Sequence, residues 1–364
     1  MPTSSAVATS LASQLVDPER TAGFFPLSEM QPTDSARAEA VADPGAPIIG
    51  LVLAIYIITF ITGLPTNLLA LVTFVRQVRH RPNPGAVLLL SLTVSDLLLL
   101  LFLPFKMAEA GTNMTWQLPV ILCPITNYCY YTCIYVSTLF LTALGVDRYL
   151  SVAFPVQYKL RRRPAYAMAA SVAFWVLACA HCSVVFIGTY YRKHGLSQKC
   201  YDNFSSDQLH VVLPFRLELS LVLFWLPATI TIFCYVNFVR ILLALPNIPR
   251  RRKHRAVGLA VATLANFVIC FAPYNISHVV GFVEKRSPPW RIYALLLSTF
   301  NASLDPVVFY FSSNAVRKAF VTCLTSVAGR VRGAGPQGPC LVTSREQGED
   351  TRTGSGDELE GSSG

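Results

Sequence analysis

The sequence predicts an all-α membrane protein, a seven-transmembrane helix bundle followed by a short amphipathic eighth helix. Three observations predict it. Of 364 residues, 53% are hydrophobic and only 14% are charged, against about a quarter charged in soluble domains. The apolar residues gather into seven stretches, each long enough to cross a hydrocarbon core, which takes roughly 20 apolar helical residues. Lys and Arg concentrate in alternate connections between those stretches. Buried helices of a large soluble protein are shorter and amphipathic, so run length argues against that reading.

In chain order the spans are placed at Ile48–Val75, Ala86–Glu109, Val120–Phe154, Ala165–Tyr190, Leu209–Leu245, Ala256–Val283 and Trp290–Phe311. Prolines 65, 227, 273 and 306 interrupt the first, fifth, sixth and seventh, where each frees backbone groups and makes a kink. Residues 1–47, rich in Ser, Ala, Pro and acids, are expected to be a disordered extracellular N-terminus. They show no basic segment followed by an apolar core, so no cleavable signal peptide is expected and the first span serves as a signal-anchor. The seven-span domain is 48–312 and the amphipathic helix 313–328. Within that helix Val316, Ala319, Phe320, Cys323, Leu324 and Val327 fall at helical spacing. Residues 329–364, rich in Gly, Ser and acids, make a disordered cytoplasmic tail.

Basic residues set the orientation. Arg76, Arg79 and Arg81 lie in the first connection. Lys159, Arg161, Arg162 and Arg163 lie in the third, and Arg250, Arg251, Arg252, Lys253 and Arg255 in the fifth. Odd connections are therefore cytoplasmic and the N-terminus is outside, as expected of a multi-pass plasma-membrane protein. The net charge of +10 needs no nucleic acid to explain it, because it is clustered where topology requires.

Of ten Cys, most sit inside spans and read as small apolar residues. Cys123 and Cys200 alone face an oxidising compartment and are expected to be bonded, pinning an outer loop across the bundle. Asn113-Met114-Thr115 and Asn203-Phe204-Ser205 are glycosylation sequons that fall in outer loops.

Ionisable groups inside spans are costly and so point to function. Asp96 sits within Leu90–Leu103 and Asp305 lies similarly in the seventh span. Two buried carboxyls in one bundle suggest a cation, a shared proton, or both.

With these spans placed, the chain resembles the rhodopsin-like (class A) G-protein-coupled receptors. The first span carries Gly63-Leu64-Pro65-Thr66-Asn67, the second Ser91-Leu92-Thr93-Val94-Ser95-Asp96, and the third ends Asp147-Arg148-Tyr149. Trp175, Pro227 and Phe267-Val268-Ile269-Cys270-Phe271-Ala272-Pro273 follow in the fourth, fifth and sixth. The resemblance implies an allosteric sodium ion at Asp96, Ser137 and Asn301, and no other cofactor. It also implies that Arg148 is the cytoplasmic switch, and that a heterotrimeric G protein and arrestin are partners. The chain departs from the family at three places. Phe271 stands where a Trp is usual, and Asp305-Pro306-Val307-Val308-Phe309 places Tyr310 one position late. Lys253 replaces a common acid, leaving Asp147 as the nearest partner for Arg148.

The ligand is read from charges near the outer ends. The outer third span, Tyr128-Cys129-Tyr130-Tyr131-Thr132, holds no acid to meet an amine. Instead Arg216 lies in the fifth span and Arg291 opens the seventh, with His181, His278, Tyr131, Tyr190 and Tyr274 at similar depth. Paired guanidinium donors match a carboxylate where water is scarce. Either arginine alone fits snorkelling to headgroups equally well.

Several segments resemble the short-chain free fatty acid receptors: Phe154-Pro155-Val156-Gln157-Tyr158-Lys159-Leu160, Arg216-Leu217-Glu218-Leu219, Pro273-Tyr274-Asn275 and Asn301-Ala302-Ser303-Leu304-Asp305-Pro306. That resemblance, from about Leu51 to Phe320, implies activation by acetate, propionate or butyrate and coupling to Gi/o and Gq proteins. It makes Arg216 and Arg291 the carboxylate anchors, assisted by His278, Tyr131 and Tyr274. His181 would limit tail length, Asp202 would pair with the arginines when no ligand is bound, and Val156 would contact the G protein. A receptor of the same class for another small carboxylate, a longer fatty acid or a peptide is the alternative. The long N-terminus departs from the subfamily: either it is a disordered decoration, or translation begins at Met30 and the extension is not made. A transporter would show inverted repeats, and a membrane enzyme a convergent nucleophile or metal set; neither pattern is present.

Overall fold

The computed structural model describes residues 46–186, 200, 204, 206–246 and 249–331. Its helices are α1 Ala46–His80, α2 Pro84–Gly111, α3 Leu122–Ala153, α4 Pro155–Arg161, α5 Pro164–Cys182, α6 Ser206–Ser220, α7 Leu226–Ala244, α8 Arg250–Glu284, α9 Arg291–Ser312 and α10 Asn314–Val331. A π-turn, Leu221–Trp225, joins α6 to α7 as one long fifth span. Seven of the resulting helices are long and apolar enough to span a bilayer, and the described residues hold no strand. In lipid no water is available to backbone groups, so helices that satisfy themselves internally are the stable solution for such runs.

The bundle is centred on α3. Its most apolar stretch is 83% buried, against 22% for that of α1, so the third helix is the post around which the others stand. Leu101, Ile61 and Val172 point outward and are exposed. An apolar outer surface of this kind, alien to water, belongs against acyl chains.

Prolines shape the bundle, and neighbouring helices satisfy the backbone that they free. Pro227 has no N–H to give to Leu223, and the helix relaxes into the π-turn just before it. The Leu223 carbonyl instead accepts from the Thr138 hydroxyl of α3 at 2.9 Å. Pro306 leaves the Ala302 carbonyl open in the same way, and Asn67 of α1 donates its Nδ2 there at 2.8 Å. A Cβ at Gly63 would lie 3.2 Å from the Leu100 side chain, so glycine there lets α1 and α2 pack closely. Pro104 and Pro214 also lie within helices, which the sequence reading did not single out.

The sixth span begins at Arg250, earlier than the expected Ala256, because its first two turns are helical although basic. Positive charge at a helix N-terminus opposes the helix dipole. Here that charge is spent on neighbouring C-termini. Lys253 Nζ donates to the carbonyls of Leu243 and Leu245 at 2.9 and 2.8 Å, and Arg255 reaches Phe311 O at 3.4 Å. The eighth helix, α10, packs against α1 and α9, burying Val316 and leaving Val321 and Leu324 exposed. Tyr310 turns toward it, its ring edge-on to Phe320 with centroids 6.0 Å apart.

Candidate ligand pocket and switch residues

The pocket is built at the end of the bundle that holds the disulfide. Cys123 at the start of α3 is bonded to Cys200, and Asn127 of α3 donates to Cys200 Sγ at 2.9 Å. The Phe204 ring lies 5.0 Å from the Arg216 guanidinium. Arg216 projects from α6 into the bundle, is buried, and donates through Nη1 to Ser287 Oγ at 3.0 Å. Two residues on, Glu218 points to the other side and meets His181 Nε2 at 3.0 Å. Opposite faces of one helix thus keep Glu218 away from the pocket arginine.

Arg291, in the first turn of α9, donates to the Tyr274 hydroxyl at 3.1 Å and lies over its ring at 5.4 Å. Tyr131 stacks on Tyr274 with planes 8° apart, and His278 stands edge-on to the same ring, centroids at 4.6 Å. His278 Nε2 is 3.2 Å from the Tyr135 hydroxyl. Arg291, Ser287 and Tyr131 line one cavity of about 250 Å³ beneath Cys200. Ser287 therefore joins Arg216 to the cavity that Arg291 faces. Low polarity around two guanidinium groups strengthens any anion they hold, and the aromatic faces stabilise the cations meanwhile.

Five predicted residues, Arg216, Arg291, His278, Tyr131 and Tyr274, are thus brought together. His181 sits apart, at a partly exposed seam between α5 and α6, where its ring joins Glu218 and its Nδ1 is 2.8 Å from Leu177 O. Asp202, Asn203 and Tyr190 lie outside the described residues. Asn113 is exposed beyond α2 in a left-handed turn, φ 56°, a conformation that Asn tolerates. Sequence reasoning missed Lys106 and Glu109, which line the same cavity and form a buried ion pair at 2.9 Å. The rule that intramembrane charges are functional, applied to Asp96, would have found them.

In the middle of the bundle Ser137 donates to Asp96 Oδ1 at 3.5 Å, and Asn301 Nδ2 to Asp305 Oδ2 at 2.8 Å. Asn266 donates to both Asn301 and Asp305, at 2.8 and 3.3 Å. Asp96 Oδ2 is buried and receives no N–H or hydroxyl donor among the described residues, and the Asp305 carboxyl is its neighbour. Oxygen donors with a spare carboxylate lone pair suit a hard monovalent cation. At the far end Arg148 donates to Tyr235 and Thr263, both at 3.3 Å. Asp147, expected to be its partner, accepts from the Tyr158 hydroxyl of α4 at 2.7 Å. The cause is local: α4 folds straight after α3 and brings Tyr158 back under the carboxylate.

The family model for the 7 transmembrane receptor (rhodopsin family) matches residues 66–309. Free fatty acid receptor 2 of Rattus norvegicus is 50% identical over 276 residues, covering 74% of this chain and 84% of that protein. Free fatty acid receptor 3 of Mus musculus is 51% identical over 274 residues, 74% of this chain and 85% of that protein. Free fatty acid receptor 1 of Macaca fascicularis is 34% identical over 273 residues, 70% of this chain and 89% of that protein. The chain belongs to the rhodopsin family of seven-transmembrane, G-protein-coupled receptors and, within it, to the free fatty acid receptors. It is a receptor and not an enzyme, and a multi-pass membrane protein that works through a G protein.

Proposed function

We propose that this receptor is activated by short-chain carboxylates, acetate, propionate and butyrate, and signals through Gi/o and Gq proteins with its N-terminus outside the cell. The observation that carries the ligand reading is that Arg291 and Ser287, the hydrogen-bond partner of Arg216, line one small cavity with Tyr56 and Tyr131, and that Tyr274 beside it holds Arg291. A carboxylate satisfies both guanidinium forks, while Tyr131 and Tyr274 wall off the tail. The naming of the relatives as free fatty acid receptors agrees with that chemistry. The basic connections support a cytoplasmic Arg148 end. There Val156 of α4 is 70% exposed and offers an apolar contact to the G protein. Val156→Asp should keep ligand binding and lose nucleotide exchange; unimpaired exchange at matched expression would count against that contact.

Asp96, Ser137 and Asn301 would hold a sodium ion, whose charge would offset the Asp96 and Asp305 carboxyls in the resting receptor. Arrestin is the further partner expected once Arg148 has turned outward.

Ligand size bounds affinity. At about 1.5 kcal/mol per heavy atom, a four-atom acetate gains about 6 kcal/mol, a dissociation constant of tens of micromolar at best. Each methylene that finds apolar room adds about 0.8 kcal/mol, until overpacking costs about 1–3 kcal/mol. Dose responses to straight-chain acids test the reading. Acids of two to five carbons should activate, and decanoate should not. Decanoate activating as well as propionate would replace it with a medium- or long-chain receptor.

A further inference from the structure

Beyond the ligand pocket, a charged concavity lies at the cytoplasmic end, lined by residues of α2, α3, α4 and α5. It measures about 370 Å³ and is walled by Ala143 of α3 and Ala167 and Ala170 of α5, whose small side chains leave the groove open. Arg161, Arg162 and Arg163 stand at its mouth. All three are exposed, and none forms an ion pair among the described residues. Arg162 rests on the Tyr158 ring at 5.4 Å instead. The N-terminus of α5, with Pro164 at its first turn, opens at the same place and adds its positive end. Asp147 is the one acid lining the groove, and its Oδ1 is taken by the Tyr158 hydroxyl.

An apolar channel facing acyl chains, with three guanidinium groups at headgroup depth, has the chemistry of an amphiphile with an anionic head. Water-soluble anions would not need the channel, and a neutral lipid would leave the arginines unmatched. We propose that this groove binds an anionic glycerophospholipid of the cytoplasmic leaflet. Its phosphate is held by Arg161, Arg162 and Arg163, and one acyl chain lies along Ala143, Ala167 and Ala170. A phosphate that draws Arg162 off the Tyr158 ring loosens the residue that holds Asp147, the neighbour of Arg148. Lipid occupancy therefore bears on the switch from outside the helix bundle, independently of the carboxylate pocket.

The test is native mass spectrometry on the full-length receptor mixed with phosphatidylserine or phosphatidylcholine of identical chains. Wild type should retain phosphatidylserine adducts in excess over phosphatidylcholine. The variant R161Q/R162Q/R163Q should lose that excess, since each arginine near an anionic surface is worth about a fivefold change in binding. Ala170→Trp, or Ala143→Leu if the tryptophan prevents folding, should lose it too by filling the channel. R250Q/R251Q/R252Q, which removes charge from another connection, should keep it. Equal retention of both lipids would overturn the site. So would adducts that survive channel filling, or that fall equally with the second arginine set, since both mean diffuse surface charge. Oleate displacing phosphatidylserine mole for mole would assign the groove to a free fatty acid and overturn the phospholipid reading.

Discussion

Lys253 at the start of the sixth span caps the fifth, its ammonium 2.8 Å from the carbonyl oxygen of Leu245. A cation at a helix C-terminus contributes about 0.3–1 kcal/mol at an exposed site. The contact ties together the ends of two helices joined by a short connection, and Arg148, the proposed switch residue, bonds to both through Tyr235 and Thr263.

Loss of that tie should ease separation of the two ends. Lys253→Ala is expected to raise agonist-independent nucleotide exchange about two- to fivefold at matched expression. Lys253→Arg should stay near wild type, because it keeps the charge. Unchanged basal exchange in the alanine variant would show that the cap plays no part in holding the resting state.

The second prediction concerns the buried pair Lys106 and Glu109, 2.9 Å apart on adjacent turns of α2. Removing one member strands a charge out of water, at about 3–5 kcal/mol, whereas removing both does not. Thermal unfolding of the purified receptor should show Lys106→Met and Glu109→Gln each well below wild type, and the double variant above both. A double variant that merely adds the two losses would mean that the residues act independently.

The fold was legible in run length and charge placement alone. Seven spans and an eighth helix are present as run length and helical spacing predicted, with the sixth span beginning earlier than expected, and Cys123 is bonded to Cys200 as the topology led one to expect. Partners that depend on how helices face one another were not legible. Nothing in the order of residues says that Thr138 completes the backbone opened by Pro227, or that Asn67 does so for Pro306. The site divides in the same way. Arg216 and Arg291 stood out as charges in apolar runs, but His181 looked equivalent and proved to face Glu218 across a seam. Tyr135 gave no signal, because one tyrosine among several in α3 is distinguished only by the helix face that it occupies.

The third prediction is therefore placed on Tyr135. Its hydroxyl orients His278, which stands edge-on to the Tyr274 ring that Arg291 grips. Tyr135→Phe deletes only the hydroxyl, a bond worth about 0.5–1.5 kcal/mol, so carboxylate potency should fall about two- to tenfold. Surface expression and response to a saturating dose should be retained. A potency loss matched by lost folding would make Tyr135 structural only.

The central claim is that Arg216 and Arg291 together hold a carboxylate. The most direct measurement is the propionate dose response of Arg216→Ala and Arg291→Ala at matched surface expression. Each variant removes a charge-assisted bond of about 1.5–3 kcal/mol, and each should shift the response by about tenfold to over a hundredfold. Wild-type potency in either variant would contradict the pocket as described.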